Sequence, residues 1–331
     1  MKIVLLRKYD QSKIDWIQPE VEGAGFDFVE LKPESPEEAA VACEDADIVW
    51  DLGGVTMITE EIVPRFKKCG AIIRGGSGTD NIPVAKATEL GIIVANTPDG
   101  PALPVAEHTI GLILTMTRKI TAHDRAVRAG TWIMDDPMPT VLSGSTVGLL
   151  GFGRIARGVA ARLKAFGVTI MAYDPMVDAE AMAALDVAKA TIPEILAAAD
   201  IVSVHTPLME ATHHLIGADE LKQMKPTAIL INTSRGPVVD TQALATALKD
   251  GTIAGAAVDV LEEEPAADDD PLVGLPNVVI TPHNAGYHAL LLSDFSRLAV
   301  ETIHALAARK WPKSYVNPGV VPRWKMPPQD A

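Results

Sequence analysis

Cysteine, basic charge and long hydrophobic runs are all scarce in this sequence, and each shortage closes off a class of protein. There are two cysteines, Cys43 and Cys69, and no CxxC pair. That excludes a disulfide framework or a cysteine-held zinc ribbon and reads as two buried thiols in a reducing compartment, with no metal expected. Lysine and arginine total 29 against 43 aspartates and glutamates, a formal charge of −14 at pH 7. So acidic a surface repels phosphate backbones and anionic lipid, which argues against nucleic acid and membrane as partners. It does not argue against a small anionic substrate, which feels mainly the local field of its pocket. At the N-terminus only Ile3 to Leu6 lies between Lys2 and Arg7, too short for the core of a signal peptide. The uncharged stretch 137–153 is broken by proline, glycine and hydroxyl residues and makes no membrane helix. The expected setting is soluble and cytoplasmic.

What is present suits two domains. The chain has 331 residues, 48% of them hydrophobic and 22% charged, enough for sizeable cores. Short β-rich runs alternate with helical stretches, the pattern of parallel sheets flanked by helices. In the first third, strands are predicted at residues 2–6, 27–31, 48–50, 71–74 and 92–95, with helices such as 36–42 and 84–90 between them. A second series of strands runs through 146–150, 169–173, 201–205, 228–232, 254–258 and 278–280, and the acidic segment 262–270 reads as a loop. A long helical pattern follows over 289–310, with Leu291, Phe295, Leu298, Ile303 and Leu306 on one face. This helix is expected to return to the first third. The domains would then be 1–99 with 288–331, and 100–287, leaving the proline-rich tail 311–331 to wrap the surface.

The second series opens on a nucleotide fingerprint. Thr146-Val147-Gly148-Leu149-Leu150-Gly151-Phe152-Gly153-Arg154-Ile155-Ala156 reads as a strand, a glycine turn and a helix. Gly151 permits the tight turn, Gly153 lets backbone approach a pyrophosphate, and Ala156 allows close helix–strand packing. The helix starting near Arg154 and Ile155 aims N–H groups and a positive dipole end at the phosphates. Asp174 ends the next strand, at the roughly 20-residue distance where a carboxylate accepts both adenine-ribose hydroxyls. It would repel a 2′-phosphate, and the following Pro175, Met176 and Val177 offer no cation to offset that. The expected cofactor is NAD rather than NADP.

Three segments downstream carry candidate chemistry. They are Asn232-Thr233-Ser234-Arg235-Gly236, Asp259-Val260-Leu261-Glu262-Glu263-Glu264-Pro265 and Thr281-Pro282-His283-Asn284-Ala285-Gly286. Each lies just past a predicted parallel strand, at the edge where doubly wound sheets bind ligands. Arg235 can grip a substrate carboxylate with its planar fork and polarise a neighbouring carbonyl. His283 can give that carbonyl oxygen a proton as hydride arrives and recover it in reverse. Glu264 beside the ring would orient it and stabilise imidazolium. Each residue alone would more often be structural; the set, with the fingerprint upstream, is not.

These motifs together closely resemble the D-isomer-specific 2-hydroxyacid dehydrogenase family. The match also takes in Arg74-Gly75-Gly76-Ser77-Gly78-Thr79-Asp80-Asn81-Ile82 and Val105-Ala106-Glu107, runs from about Arg74 to His283, and weakens before that. The resemblance implies an α/β chain of two doubly wound parallel-sheet domains, a flavodoxin-like substrate domain and a Rossmann NAD-binding domain, with a cleft between them. It implies a homodimer, D-stereochemistry and a small 2-hydroxy or 2-keto acid substrate. It assigns substrate binding to Arg235, the pairing carboxylate to Glu264 and the acid/base role to His283. Backbone N–H groups around Ser77 and Gly78 would hold the substrate carboxylate. Asp259 and the carbonyl of Thr233 would hold the nicotinamide carboxamide, His205, Thr206 and Pro207 would line the adenine side, and Ser234 and Gly286 would complete the cofactor contacts.

Within that family, Glu264 argues against the formate-oxidising branch, which carries glutamine there because its reaction needs no general acid. The phosphoglycerate branch carries an arginine after the third strand; the stretch Val49-Trp50-Asp51-Leu52-Gly53-Gly54 shows Asp51 or a neighbour instead. The regulatory domain of longer members is also not expected. An unphosphorylated substrate such as hydroxypyruvate or glyoxylate is favoured, with phosphoglycerate chemistry as the alternative. Residues 76–82, 173–175, 213–216 and 281–287 are also similar to the family's corepressor branch, which binds NAD(H) and recruits partner peptides. A structural Rossmann protein with a dead site is disfavoured because all three catalytic residue types are present. Arg7, Trp50, Arg74 and Tyr287 are candidate pocket residues, and Trp132 is a candidate for reaching a partner subunit's pocket.

Overall fold

In the computed structural model, which describes residues 1–7, 16–52, 57–132, 138–288 and 291–328, the chain forms two compact units. The first comprises Met1–Pro101 with His288–Ala331, the second Ala102–Tyr287.

The first unit carries strands β1 (Lys2–Leu6), β2 (Asp27–Leu31), β3 (Ile48–Asp51), β4 (Ala71–Arg74) and β5 (Ile93–Asn96), with helices α1 (Ile17–Gly23), α2 (Pro36–Cys43) and α3 (Val84–Glu89) between them. They form one parallel sheet in the order β2-β1-β3-β4-β5, the flavodoxin-like order. Successive side chains of a strand point to opposite faces, so the sheet feeds two cores. Ile3 and Leu5 of β1 join α1 on one face, while Val4 and Leu6 join α2 and α3 on the other. Every residue of the central strand β3 is buried, and so is every residue of the edge strand β5.

Helix α4 (Asp99–Thr117) starts in the first unit and runs into the second, followed by α5 (Ile120–Arg128). The second unit then alternates β6 (Thr146–Leu150), α6 (Arg154–Leu163), β7 (Thr169–Tyr173), α7 (Ala179–Ala183), β8 (Ala188–Lys189), α8 (Ile192–Ala198), β9 (Ile201–Val204), α9 (Ala218–Gln223), β10 (Ile229–Asn232), α10 (Thr241–Lys249), β11 (Gly255–Val258) and β12 (Val278–Ile280). Its seven-stranded sheet has the order β12-β11-β10-β9-β6-β7-β8, all pairs parallel. That is a Rossmann order, with the topological switch between β6 and β9. One face packs on α8, α9 and α10, the other on α4, α6 and α7. The expected fold class, two doubly wound parallel sheets, is the one observed.

Several element ends differ from the sequence reading. The third strand extends to Asp51, the fifth is shifted to Ile93–Asn96, and the strand expected over 201–205 stops at Val204. Strands expected to begin at Ala228 and Ala254 begin one residue later, and β8, an exposed two-residue edge strand, has no apolar signal. The first-third helices run Pro36–Cys43 and Val84–Glu89.

The final helix, α11 (Leu291–Ala307), joins the first unit's core through Ala299, Val300, Ile303 and Leu306. Phe295 and Leu298 flank that face and are only half-buried. Ala289 and the side chain of Leu291, like Gly53, Gly54, Pro137 and the last three residues of the tail, lie outside the described residues. The tail does more than wrap the surface. Tyr315 bridges Ala95 in antiparallel fashion and Val316 N–H donates to Val94 O at 2.9 Å, so the tail covers the β5 edge. Among the described residues, no helix is long and apolar enough to cross a membrane.

Candidate functional site

The nucleotide end of the site is built by the turn after β6. Gly151 has φ 92°, the left-handed region that glycine enters without a steric penalty. A Cβ there would stand 2.7 Å from the carbonyl oxygen of His205, so the turn and the end of β9 can approach this closely only with glycine. Gly153 caps α6, and no side chain caps the helix's first turn. A Cβ built at Gly153 would meet nothing within 4 Å, so the ground before the helix N-terminus is open. A helix N-terminus facing open space is what a pyrophosphate requires. The buried Thr206 hydroxyl, just past β9, finds no partner among the described residues, and an orphaned buried polar atom of that kind suits a bound ligand. These residues fit a dinucleotide.

Asp174 holds the turn from the side. Its Oδ2 accepts the Phe152 N–H at 2.8 Å and its Oδ1 accepts the Met176 N–H at 2.8 Å. A carboxylate has about four acceptor positions, so capacity remains for two ribose hydroxyls. The neighbouring Met176 is 90% exposed. His205 Nε2 pairs with the Ser203 hydroxyl at 2.9 Å, and burial pushes its pKa down to about 4, leaving it neutral at pH 7.

The reacting end is assembled by three loops beyond β10, β11 and β12. Asn232, buried at the end of β10, pins the first: its Oδ1 accepts the Ser234 N–H at 3.0 Å and the Ser234 hydroxyl at 2.9 Å, and its Nδ2 donates to Arg235 O at 2.9 Å. Gly236 lets this loop lie against the next, since a Cβ there would overlap the Leu261 carbonyl. In the second loop Glu264 Oε1 accepts the Leu261 N–H at 3.0 Å, which fixes the carboxylate over its own turn.

Glu264 Oε2 meets His283 Nδ1 at 2.7 Å. Burial alone would raise the Glu264 pKa. The His283 hydrogen bond, the Leu261 N–H and the charges of His283 and Arg235 outweigh it and hold the carboxyl below its ordinary range. Arg235, Glu264 and His283 therefore share one electrostatic environment.

His283 itself has φ 50°, an uncommon left-handed conformation for a residue with a side chain. Its N–H donates to the carbonyl of Asp259 at 2.7 Å. The Asp259 carboxylate, 2% exposed as a residue, accepts the Thr281 hydroxyl at 2.5 Å and the Asn284 and Ala285 N–H groups at 3.0 and 2.9 Å. Asp259 is thus the hub of the loop that presents His283. Sequence reasoning gave it a cofactor contact and missed this internal role, because the bonds come from residues more than a strand away. It also missed His108 and Thr109 of α4, which reach Thr281 and Thr233 at 3.1 and 3.0 Å. Nothing in the local spacing marks either one.

In the first unit, Ser77 is exposed and its carbonyl accepts the Asn96 amide at 2.8 Å, while Gly76 N–H donates to the Thr97 hydroxyl at 2.7 Å. Asp51, which stands with its neighbours where the phosphoglycerate branch carries an arginine, is 4% exposed and accepts from Asn81 at 2.8 Å. Arg74, its register partner on β4, donates to Asn81 and to the Gly75 carbonyl. Arg7 pairs with Glu30, and Trp50 is fully buried in the core. Trp132 and Tyr287 are 79% and 65% exposed.

Residues 110–285 match the family described as "D-isomer specific 2-hydroxyacid dehydrogenase, NAD binding domain". The chain is 38% identical over 307 residues to the glyoxylate reductase of Korarchaeum cryptofilum, covering 89% of this chain and 91% of that one. It is 37% identical over 291 residues to the D-3-phosphoglycerate dehydrogenase of Methanocaldococcus jannaschii, covering 88% of this chain and 55% of that one, so it spans about half that relative's length. Among solved structures, an acyclic imino acid reductase in complex with NADPH and D-Arg superposes with TM-score 0.86 at 29% identity, covering 96% of this chain and 100% of that one. The chain belongs to the D-isomer specific 2-hydroxyacid dehydrogenases, and its second unit carries their NAD-binding domain.

Proposed function

We propose that this protein reversibly transfers hydride between NAD(H) and a small, unphosphorylated 2-keto or 2-hydroxy acid of the glyoxylate or hydroxypyruvate kind. The observation that carries the proposal is the 2.7 Å contact between Glu264 Oε2 and His283 Nδ1, with the Arg235 charge acting on the same carboxylate. An ionised carboxylate only accepts, so Nδ1 bears the shared hydrogen and Nε2 is the nitrogen left to exchange a proton with substrate. NADH, when bound, supplies the hydride to C2 of the keto acid. Arg235 grips the substrate carboxylate and draws charge toward the C2 oxygen. His283 Nε2 gives that oxygen its proton, and Glu264 stabilises the imidazolium before the proton leaves. In oxidation His283 takes the proton back.

The second unit serves as the cofactor domain and the first as the substrate domain. Gly151, Gly153, Arg154 and Ile155 receive the pyrophosphate, and Asp174 the adenine ribose. His205, Thr206 and Pro207 line the adenine side. Thr233, Ser234, Asp259 and Gly286 face the nicotinamide end, where Asp259 Oδ2 keeps acceptor capacity beyond its bond to Ala285. Ser77 and Gly78 hold the substrate carboxylate through their backbone. The working form is a cytoplasmic homodimer.

Phosphoglycerate chemistry is the second reading, on the likeness to the Methanocaldococcus enzyme. Asp51 does not decide between the two, since it is buried and hydrogen-bonded. A panel of glyoxylate, hydroxypyruvate, 3-phosphohydroxypyruvate and longer 2-keto acids with NADH decides it. The proposal expects the unphosphorylated short acids to give the highest kcat/KM. A preference for 3-phosphohydroxypyruvate overturns the substrate class, and NADH binding without turnover of any acid points to a sensor like the corepressor branch.

A further inference from the structure

Resting on that reading of the site, we propose that His108 is a positioning residue for the reaction, holding through the Thr281 hydroxyl the loop that presents His283. His108 lies on α4 and is half-buried, with Nε2 3.1 Å from Thr281 Oγ1 and 3.7 Å from Asp259 Oδ1. Hydrogen counting sets the direction of these bonds. A threonine hydroxyl has a single proton to donate, and Thr281 gives its proton to the Asp259 carboxylate at 2.5 Å. Toward His108 the Thr281 oxygen can therefore only accept, so Nε2 of His108 carries a hydrogen and donates it. The run of donors goes from His108 through Thr281 to Asp259 and ends on a buried charge.

That charge organises the residues on both sides of His283. Its oxygens take Thr281 before it and Asn284 and Ala285 after it, and the Asp259 carbonyl takes the His283 N–H. The left-handed backbone at His283, φ 50°, is a conformation that persists only where its surroundings over-determine it. His108 supplies one of those determinants: it fixes the rotor of the Thr281 hydroxyl and brings a donor close to the buried carboxylate. The adjacent Thr109 does the same for the loop of Arg235. Its proton goes to Val105 O at 2.8 Å, so the 3.0 Å contact with Thr233 is one in which Thr233 donates. One turn of α4 thus touches the loops of both Arg235 and His283.

The test compares His108→Leu, which removes the donor, with His108→Gln, whose amide donates from a similar reach without titrating. In His108→Leu, kcat for keto-acid reduction should fall about 10- to 100-fold, the scale of a small misplacement of a reacting group, with the NADH dissociation constant little changed. His108→Gln should recover most of kcat. Thr281→Val cuts the same link at its other end and should show the same loss, and the double variant His108→Leu/Thr281→Val should be no worse than either single one. Full kcat in His108→Leu, equal losses in Leu and Gln, or additive losses in the double variant would overturn the proposal. So would NADH affinity falling in step with kcat, which marks a merely structural role. His283→Ala in the same assay keeps the two readings apart. If it turns over normally, the site itself is misassigned; if it fails while His108→Leu does not, only the role of His108 is lost.

Discussion

Replacing Asp174 by alanine would remove two contacts of different kinds. Its carboxylate accepts the Phe152 N–H, which holds the glycine turn, and in the proposed binding mode it carries the charge that a 2′-phosphate would meet. The native protein should prefer NADH strongly over NADPH. Asp174→Ala should relax that preference and weaken NADH by roughly 10- to 100-fold, the worth of hydrogen bonds to a charged group. Comparable kcat/KM for both cofactors in the native protein would place Asp174 away from the ribose. Glu264 sets a pH dependence of definite sign. Its carboxyl is held below the ordinary range, so it stays ionised through neutral pH, and the charged contact with His283 is lost only as pH falls through that lowered pKa. Keto-acid reduction should therefore lose kcat/KM on the acid side, below the ordinary carboxylate range. Glu264→Gln keeps the shape and removes the charge, and should remove that acid limb; an unchanged profile would show that the two residues are not coupled. The cysteines give a control. Burial pushes both thiols up, Cys69 to about 12 and Cys43 further still, so the folded protein should resist thiol reagents at pH 8 and react only when unfolded.

Three parts of the chain show what the sequence revealed and what it hid. The β6 turn was legible because its chemistry is local: Gly151, Gly153 and Ala156 are read from spacing, and each does its work within a few residues of the others. A methyl group at Gly151 has both a left-handed φ and the His205 carbonyl against it, so Gly151→Ala should lose NADH binding while the first unit remains folded. Helix α4 was hidden, because Pro101 and Pro104 in its first turns read as helix breakers. Its contribution to the site, through His108 and Thr109, depends on partners 173 and 124 residues away. The C-terminal tail was legible as proline-rich and no further. Its anchor is Asn317, which accepts the Val94 N–H at 2.9 Å and donates to Ile92 O and the Thr88 hydroxyl, both at 2.9 Å. Asn317→Ala strands buried backbone groups and should cost about 1–3 kcal/mol or more, seen as a lower denaturation midpoint followed by tryptophan fluorescence. That signal reports mainly on the first unit, which holds Trp16, Trp50, Trp311 and Trp324. An unchanged midpoint would mean that the tail does not hold this edge.

For the whole molecule, the two parallel sheets follow from the alternation of β-rich and helical runs, because strands buried on both faces must be apolar throughout. The strand orders could not be read that way: which strands neighbour one another is fixed by tertiary packing, and the sequence supplied it only through family resemblance. The formal charge of −14 leaves room for a small anionic substrate because one cation, Arg235, stands beside the Glu264–His283 pair. The most direct test of the account is steady-state keto-acid reduction by His283→Ala beside the native protein, with NADH binding measured separately. The expected result is a loss of roughly 10²–10⁴-fold in kcat, the usual scale for a removed general acid, with NADH affinity close to native. Near-native turnover by His283→Ala would contradict it.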